Sequence, residues 1–399
     1  MGILITSLEL YDDIATINHV RSLAINRTAS TTGETEALNY IKDELIKGNI
    51  NPDIEHFNWA GPLRILLRMS YLIMFTYLIL FRLFLVIIAY LVLKNAFATT
   101  RNISLIKKEE SKNIIAHIPA REESENRPLV IFTAHYDSVS VKLSYKFQVV
   151  VFFFYRFIIF FYIALVIVFS LLFLFSVFLF LGLSNILTIL ITTASIFGVF
   201  VSIPILYLVF NENPSSGSID NASGVAISIE LAKIFKKYPL DKMDILFIWT
   251  GAEEWGLKGS RDFCKRHFKK LSERYDFDKS ININLDMIGT YIGLFNSSGI
   301  IKKRKINIDL NDVLETTANT LGISIDRYNR ILKPKSDYRM FQKYARKIKK
   351  TLQIGFFHSS RDSKYIHSIK DTPDKCSSEN LNGCLNICFH ALRSIDLKR

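Results

Sequence analysis

Cysteine is scarce in this chain of 399 residues, which contains four of them: Cys264, Cys376, Cys384 and Cys388. No two of them form a Cys-x-x-Cys pair, and four are too few for a disulfide scaffold. We therefore expect ordinary reduced thiols in a core. Residues 1–13 also lack the basic start and the long apolar stretch of a secretory signal, so we expect no such signal here.

Charged residues are absent from residues 157–211, a run of 55 residues without Asp, Glu, Lys, Arg or His. A helix crosses a bilayer with about 20 apolar residues, so this run is long enough for two transmembrane helices. A second apolar block covers residues 65–93 and is interrupted by Arg68 and Arg82. Together with a hydrophobic content of 49%, these blocks predict an integral membrane protein with a large polar part.

Acidic residues are outnumbered by basic ones, 37 against 50, which gives a net charge of +13. Such an excess suits either nucleic acid or an anionic membrane surface. No nucleic-acid-binding motif accompanies it, so we predict a lipid bilayer as a partner and no nucleic acid. Basic residues flank the apolar blocks on the polar side: Arg64, Arg68, Lys94, Arg101, Lys142, Lys146 and Arg156. By the positive-inside rule, the polar part of the chain is then expected to face the cytoplasm.

The apolar blocks divide the polar sequence into three pieces. Residues 1–61, 97–142 and 212–399 are expected to form one polar domain, because together they are long enough for a single core. Residues 62–96 are expected to form an apolar membrane hairpin, and residues 143–211 a two-span transmembrane insertion. One point stays open, since the block at 65–93 is too short for two full spans: it is either a re-entrant hairpin or a single span.

The polar pieces alternate predicted strands and helices. A continuous apolar run typical of a buried strand lies at 129–133, and the sequence also predicts strands at 53–59, 102–107, 113–118, 243–250, 281–285 and 352–357. Helical spacing covers 11–24, 33–47, 222–237, 257–270, 309–321, 337–346 and 378–392. This order predicts an α/β fold, a mainly parallel mixed sheet with helices on both faces.

Residue types that bind metals follow the predicted strands. His135 follows the strand at 129–133, Glu253 and Glu254 follow the next one, and Asp286 follows another. Because the carboxyl ends of parallel strands meet at one edge of a sheet, these side chains can converge. Imidazole and carboxylate are ligands of Zn²⁺, and adjacent glutamates would repel each other unless a cation lies beside them. Each residue alone is more often structural, so it is the set that indicates a metal site.

Six segments in one order resemble the zinc aminopeptidases related to bacterial leucyl aminopeptidase and aminopeptidase Y, metallopeptidase family 28. The segments are Thr-Ala-His135-Tyr-Asp137-Ser-Val, Ile-Asp220-Asn-Ala-Ser-Gly224-Val, Ala-Glu253-Glu254-Trp-Gly256-Leu-Lys-Gly259-Ser, Asn-Leu-Asp286-Met-Ile-Gly289, Ser336-Asp337 followed by Phe341, and His367-Ser-Ile-Lys-Asp371-Thr. The resemblance covers nearly all of the sequence outside the apolar blocks. It implies the zinc exopeptidase fold.

The same resemblance implies two Zn²⁺ ions per chain and five ligands. Asp220 would bridge the two ions, His135 and Asp286 would complete one, and Glu254 and His367 would complete the other. His358 competes with His367 for the last position, but the Asp-Thr pair that follows His367 at 371–372 has no counterpart after His358. We therefore prefer His367.

Further roles are implied for residues beside the ligands. Glu253 matches the family's general base, which must lie close to the metal-bound water without binding the metal. Asp137 would orient the ring of His135 from behind the metal. Asp371 would do the same for His367, although a helix cap is an equal possibility. The family also implies a cis peptide bond between Asp220 and Asn221.

The function that follows is a membrane-anchored di-zinc metallopeptidase, an aminopeptidase with peptides as substrates. Two alternatives remain open. One is acyl transfer of the glutaminyl-cyclase type, which uses a single zinc ion. The other is a catalytically inactive, peptidase-like membrane scaffold or receptor. The sequence does not indicate the residue preference, the physiological substrate or the oligomeric state.

Overall fold

The computed structural model describes residues 14–59, 109–139, 215–300 and 303–399, together with scattered positions between 147 and 196. The chain divides into two units, one made of Met1–Trp59, Glu110–Lys142 and Asn213–Arg399, the other of Ala60–Glu109 and Leu143–Glu212. Nearly all described residues belong to the first unit, which carries every predicted site residue. The predicted hairpin at 62–96 and nearly all of the predicted two-span insertion at 143–211 lie outside the described residues, as does the predicted strand at 102–107.

Helices of the first unit begin and end close to the positions that apolar spacing predicts. Their bounds are α1 Ala15–Ser22, α2 Thr32–Lys47, α3 Ser223–Lys237, α4 Lys258–Arg274, α5 Leu310–Thr320, α6 Tyr338–Lys347 and α7 Ser378–Leu397. The start of α2 shows the local cause, since the side chain of Thr31 accepts a hydrogen bond from the backbone N–H of Glu34 and so caps the helix.

Strands of the first unit form a single sheet. Their bounds are β1 Asp53–Trp59, β2 Glu109–Ile118, β3 Leu129–His135, β4 Asp244–Thr250, β5 Ile281–Leu285, β6 Gly293–Ser298, β7 Arg304–Lys305, β8 Asp326–Arg330 and β9 Gln353–Phe357. The order across the sheet is β1-β2-β4-β3-β5-β9-β6-β7, with β8 paired to β6. The four central strands β4, β3, β5 and β9 are parallel, whereas β2 and β6 join them antiparallel. The predicted α/β fold with a mixed sheet is therefore confirmed.

Helices cover both faces of the central strands, which explains why β3, β4 and β5 are buried at every residue. On one face, the ring of Phe132 from β3 lies 6.4 Å from that of Phe235 on α3. On the other face, Phe263 and Phe268 of α4 pack against Phe341 of α6, with ring centroids 6.0 and 5.9 Å apart. The central strands are therefore packed between two layers of helices.

The prediction of an integral membrane protein with a catalytic domain facing the cytoplasm is contradicted. Among the residues that the structure describes, no helix is both long enough and apolar enough to cross a bilayer. The longest of them, α7, has 20 residues but includes Glu379, His390 and Arg393. Its apolar residues, such as Leu381 and Leu385, are buried in the protein.

Candidate metal centre

Parallel strands bring the predicted site residues to one edge of the sheet. β3 ends at His135, and its register pairs His135 with Thr250, the last residue of β4. Asp286 directly follows β5. Both side chains are buried, with 2% of His135 and 5% of Asp286 exposed. The carboxyl edge of the sheet is therefore where the candidate metal centre lies.

His135, Asp220 and Asp286 form a first donor group. Nε2 of His135 lies 3.0 Å from Oδ1 of Asp220 and 3.5 Å from Oδ1 of Asp286. One potential ligand atom of each residue lies within 4.8 Å of the other two. Asp220 comes from a tight turn, Ser218–Ala222, directly before α3. Three separate segments of the chain thus converge on a space of the size that one ion fills.

Asp220, Glu254 and His367 form a second donor group. Nε2 of His367 lies 3.2 Å from Oδ2 of Asp220 and 3.0 Å from Oε1 of Glu254. Their potential ligand atoms again lie within 4.8 Å of one another. Asp220 therefore faces His135 with one carboxylate oxygen and His367 with the other. This is the geometry that a residue shared by two ions requires.

The donor atoms of both groups fit Zn²⁺. Each group offers one imidazole nitrogen and two carboxylate oxygens, which are ligands that zinc accepts. Oε1 of Glu254 is buried and lies 3.0 Å from Nε2 of His367. Burying several carboxylates together costs free energy, and a cation beside them offsets that cost. The chemistry of the residues thus supports a metal at this place.

The charges of the two donor groups depend strongly on one another. Burial would raise the pKa of Asp220, but the two histidines outweigh it and hold this pKa well below its usual range. Burial would lower the pKa of His135 and of His367, but the surrounding carboxylates raise both well above the ordinary value. For Glu254 burial prevails and raises the pKa, against the opposing effect of His367. The groups therefore concentrate negative charge that a divalent cation would balance.

Glu253 lies beside the second donor group and is 4% exposed. Burial raises the pKa of its carboxyl well above the usual value, whereas Lys335 and then His135 act in the opposite direction. The carboxylate of Asp137 fixes the backbone here, because Oδ1 accepts from the N–H of Glu253 at 2.9 Å and Oδ2 from that of Glu254 at 3.2 Å. Both adjacent glutamates are thus held by one residue of the loop that follows β3.

The role predicted for Asp137 differs in detail from what the structure shows. Nδ1 of His135 lies 3.1 Å from the backbone carbonyl oxygen of Asp137 and 3.6 Å from its carboxylate. The carbonyl is therefore the better-placed acceptor for the ring, because the carboxylate is committed to the two glutamate N–H groups. Asp137 therefore contacts the ring of His135 through its backbone carbonyl, whereas its side chain positions Glu253 and Glu254.

Asp371 also accepts hydrogen bonds from backbone N–H groups. Its Oδ1 accepts from the N–H of Ile219 at 2.6 Å, and its Oδ2 accepts from that of Asp220 at 3.2 Å. Burial, and then the negative charge of Asp220, raise the pKa of Asp371 to about 7. Asp371 does not cap the short helix Pro373–Lys375 that follows it, because Thr372 is the residue at the N-cap position and no side chain caps this helix. Asp371 therefore positions the shared residue Asp220.

The peptide bond between Asp220 and Asn221 is cis, as the family resemblance implies. The side chain of Asn221 joins this turn to the end of β5. Its Nδ2 donates to the carbonyl oxygen of Leu285 at 2.8 Å, and its Oδ1 accepts from the N–H of Met287 at 3.2 Å. These hydrogen bonds hold the backbone on both sides of Asp286. They therefore position the carboxylates of Asp220 and Asp286 relative to each other.

Arg27 is a fully buried cation that the sequence analysis did not identify. Its Nε donates to the carbonyl oxygen of Tyr136 at 2.8 Å, and its terminal nitrogens donate to those of Ser216 at 2.7 Å and Gly217 at 2.8 Å. Tyr136 follows a metal-ligand candidate, and Gly217 precedes the turn that carries Asp220. Arg27 therefore ties the N-terminal segment to two loops of the centre.

We expect Arg27→Met to destabilise the fold strongly, because it leaves several buried carbonyl groups without a donor at about 1–3 kcal/mol each. Urea denaturation measures the loss. Arg21→Met is the matched control, since Arg21 is exposed and donates to Asn18 on its own helix. Equal unfolding midpoints for the two variants would contradict the role given to Arg27.

His358, the competitor of His367, lies at the end of β9 and belongs to neither donor group found among the described residues. Its Nδ1 lies 3.3 Å from the backbone carbonyl oxygen of Asp286. Its ring stacks on Phe356, with centroids 5.1 Å apart, and burial lowers its pKa. The structure thus brings His367 rather than His358 to Asp220.

Sequence comparison gives a family for the second half of the chain. Residues 202–392 match Peptidase family M28. Over 76 residues the chain is 43% identical to aminopeptidase YwaD of Bacillus subtilis (strain 168). That match covers 19% of this chain and 16% of YwaD, so it spans only a small part of the relative.

Solved structures resemble the chain over nearly its whole length. BSAP, a zinc aminopeptidase from Bacillus subtilis, has a TM-score of 0.56 at 15% identity, with 97% of this chain and 96% of that chain covered. A glutaminyl cyclase from an Acidobacteriales bacterium has a TM-score of 0.56 at 14% identity, with 100% and 99% covered. At such identities the likeness concerns the fold. Residues 202–392 therefore match peptidase family M28, and the chain resembles solved zinc aminopeptidases in fold.

Proposed function

We propose that this chain is a di-zinc metallopeptidase that removes the N-terminal residue from peptides. The observation that carries the proposal is the pair of donor groups that share Asp220, with one of its oxygens turned to each histidine. The match to Peptidase family M28 supports zinc as the metal and a peptide as the substrate.

In this proposal the five candidate ligands have separate tasks. His135 and Asp286 would hold one ion, Glu254 and His367 would hold the other, and Asp220 would be shared by both. Two zinc ions side by side would supply a water molecule of lowered pKa and would polarise the scissile carbonyl. Asp371 and Asn221 keep the turn of Asp220 in place through the hydrogen bonds described above, and Asp137 does so for the two glutamates.

Glu253 is the general base of the proposal. It takes a proton from the attacking water and returns it to the amine that leaves. Its carboxylate is free for this task because Glu254, and not Glu253, belongs to the second donor group. Burial keeps bulk water away from the carboxylate, which makes the proton transfer specific to the bound water.

The domain boundaries remain part of the proposal. We propose that residues 1–61, 97–142 and 212–399 build one catalytic domain. Segments 62–96 and 143–211 then interrupt it as insertions. All candidate ligands lie in the second and third of these pieces, whereas Arg27 belongs to the first. The site therefore depends on all three pieces of the domain.

The two alternatives differ from this proposal in the number of zinc ions. Acyl transfer of the glutaminyl-cyclase type needs one, and an inactive scaffold needs none. The second donor group favours hydrolysis, because a single-ion enzyme has no need of a carboxylate shared between two histidines. A solved glutaminyl cyclase shares the fold, so the distinction depends on the metal count and the reaction.

We expect two zinc ions per purified chain and hydrolysis of aminoacyl-arylamides and unmodified dipeptides, because both donor groups bind metal. A chelator should abolish the activity, and added Zn²⁺ should restore it. Atomic absorption gives the count, and a chromogenic arylamide panel gives the rates. One ion with cyclisation of N-terminal glutamine, or no ion and no turnover, would contradict the proposal.

A further inference from the structure

Three large aliphatic side chains are exposed where β6 and β8 end. The exposed fractions are 78% for Ile300, 65% for Ile331 and 79% for Leu332. Just before them, the backbone N–H of Gly299 donates to the carbonyl oxygen of Arg330 at 3.1 Å. Ile300 and Ile331 directly follow these two residues, so the three side chains start from neighbouring backbone positions. Single exposed apolar residues are common on proteins, whereas a group of them marks an interaction surface.

Cations flank the aliphatic side chains on both sides. The strand register pairs Ser298 of β6 with Arg330 of β8 on one side and with Arg304 of β7 on the other. Both arginines are exposed, and neither has a carboxylate of the described residues within the 4.0 Å of an ion pair. The excess continues along the chain, since residues 330–350 contain nine basic residues and one acidic residue, the buried Asp337. The surface is therefore strongly positive around an apolar centre.

The segment that follows β8 is fastened to α6. Arg339 donates from Nε to the carbonyl oxygen of Pro334 at 2.9 Å and from a terminal nitrogen to that of Lys333. The hydroxyl of Tyr338 donates to the same oxygen of Pro334 at 2.6 Å. Residues 331–332 are thus held between the end of a strand and a segment that is bound to a helix. This anchoring presents their side chains to the outside.

The combination of apolar and positive groups determines which partner fits this surface. A second copy of the chain carries the same excess of cations and is repelled. The two segments 62–96 and 143–211 of this chain contain no acidic residue, so they offer no counter-charge. An anionic lipid surface offers both components, because its negative headgroups lie directly above the acyl chains.

We propose that this surface binds an anionic lipid bilayer through a basic-apolar tip, which consists of Ile300, Arg304, Arg330, Ile331 and Leu332. The aliphatic side chains enter the boundary between headgroups and acyl chains, and the arginines contact headgroup phosphates. This binding is peripheral and requires no helix to cross the bilayer. Because β6 runs antiparallel to β9, the tip lies toward the edge of the sheet opposite the candidate metal centre. The centre therefore faces away from the bound lipid.

The experiment is co-sedimentation of the purified full chain with vesicles. One set of vesicles contains phosphatidylcholine alone, and the other contains phosphatidylcholine mixed with phosphatidylserine, each at low and at high salt. The double variant Ile331→Ser with Leu332→Ser removes aliphatic side chains of the tip. Its matched control is Ile46→Ser with Leu397→Ser, which removes two exposed aliphatic side chains from α2 and α7.

A second pair of variants tests the charges. Arg304→Gln with Arg330→Gln removes both arginines of the tip. Lys236→Gln with Lys237→Gln removes two exposed cations at the end of α3 and leaves the same net charge as the tip variant. Every substitution changes an exposed side chain, and thermal unfolding checks that each variant is folded. No readout uses catalysis, so the result does not depend on the proposed function.

We expect the wild type to bind the vesicles that contain phosphatidylserine and not those of phosphatidylcholine alone. High salt should weaken the binding, because it screens exposed charges. The aliphatic tip variant should lower the partition coefficient by about tenfold or more. The arginine tip variant should lower it by about 5- to 30-fold, and each control should change it by less than about twofold.

Three outcomes would overturn the inference. Equal binding of the wild type and both tip variants would place the lipid contact elsewhere on the chain. A loss in the arginine variant alone would show that the aliphatic side chains do not enter the lipid. A wild type that ignores all vesicles but binds single-stranded RNA through Arg304 and Arg330 would make the tip a site for nucleic acid.

Discussion

Glu253→Gln is expected to keep both zinc ions and to lower kcat by about 10²–10⁴. The substitution removes the proton acceptor while leaving the shape of the side chain and all five candidate ligands unchanged. The hydrogen bond from the backbone of residue 253 to Asp137 also persists, because it does not involve the replaced group. The measurement is kcat on the best arylamide, with zinc content determined on the same preparation.

The adjacent residue provides the control for this prediction. Glu254→Gln changes the charge by the same amount one position further along, but Glu254 belongs to the second donor group. We expect that variant to lose zinc as well as activity. A metal-replete Glu253→Gln variant with near-normal turnover would remove Glu253 from the mechanism.

The central sheet could be predicted from sequence because its strands are buried on both faces. β3 contains a continuous apolar run at 129–133, and β5, which alternates isoleucine and asparagine, was predicted at its observed bounds, 281–285. The edge strand β1 was predicted at its observed bounds, 53–59, whereas β6, β7 and β8 were not predicted. β8 reads Asp-Arg-Tyr-Asn-Arg and is partly exposed, so no apolar pattern marks it, and it is a strand only because it pairs with β6. Whether such a segment forms a strand depends on its pairing with a neighbouring strand.

The candidate ligands could be predicted because the family motifs contain them. The roles of the residues that hold these ligands in place were harder to predict. Asp137 and Asp371 were expected to orient histidine rings, but their carboxylates hold backbone N–H groups, those of Glu253, Glu254, Ile219 and Asp220. Contacts between segments more than a hundred residues apart leave no local pattern in the sequence.

A lone basic residue in a loop gave no signal in the sequence. Arg27 lies in a polar loop, where arginine is most often solvated. It is buried because other loops offer it carbonyl groups, those of Tyr136, Ser216 and Gly217. The apolar blocks led to a wrong prediction. Their composition predicted a membrane protein, and the described helices contradict that prediction.

Asp220→Ala is expected to have the largest effect on the metal. Asp220 is the only residue common to both donor groups of the described chain, so its loss weakens both ions at once. Replacing a residue that merely supports a ligand costs about 10- to 100-fold in metal affinity, and a ligand shared by two ions should cost more. We therefore expect less than one zinc ion per chain after dialysis and no measurable hydrolysis.

Asp286→Ala is the matched control, because Asp286 is buried to the same degree but belongs to the first donor group alone. It should keep one ion per chain, held by the second donor group. Thermal unfolding with and without Zn²⁺ reports the same difference independently, since a ligand that binds only the folded state raises the midpoint. Zinc should stabilise the wild type most, Asp286→Ala less and Asp220→Ala least. If Asp220→Ala retains two ions, the two donor groups bind metal independently, and the shared carboxylate is not what joins them.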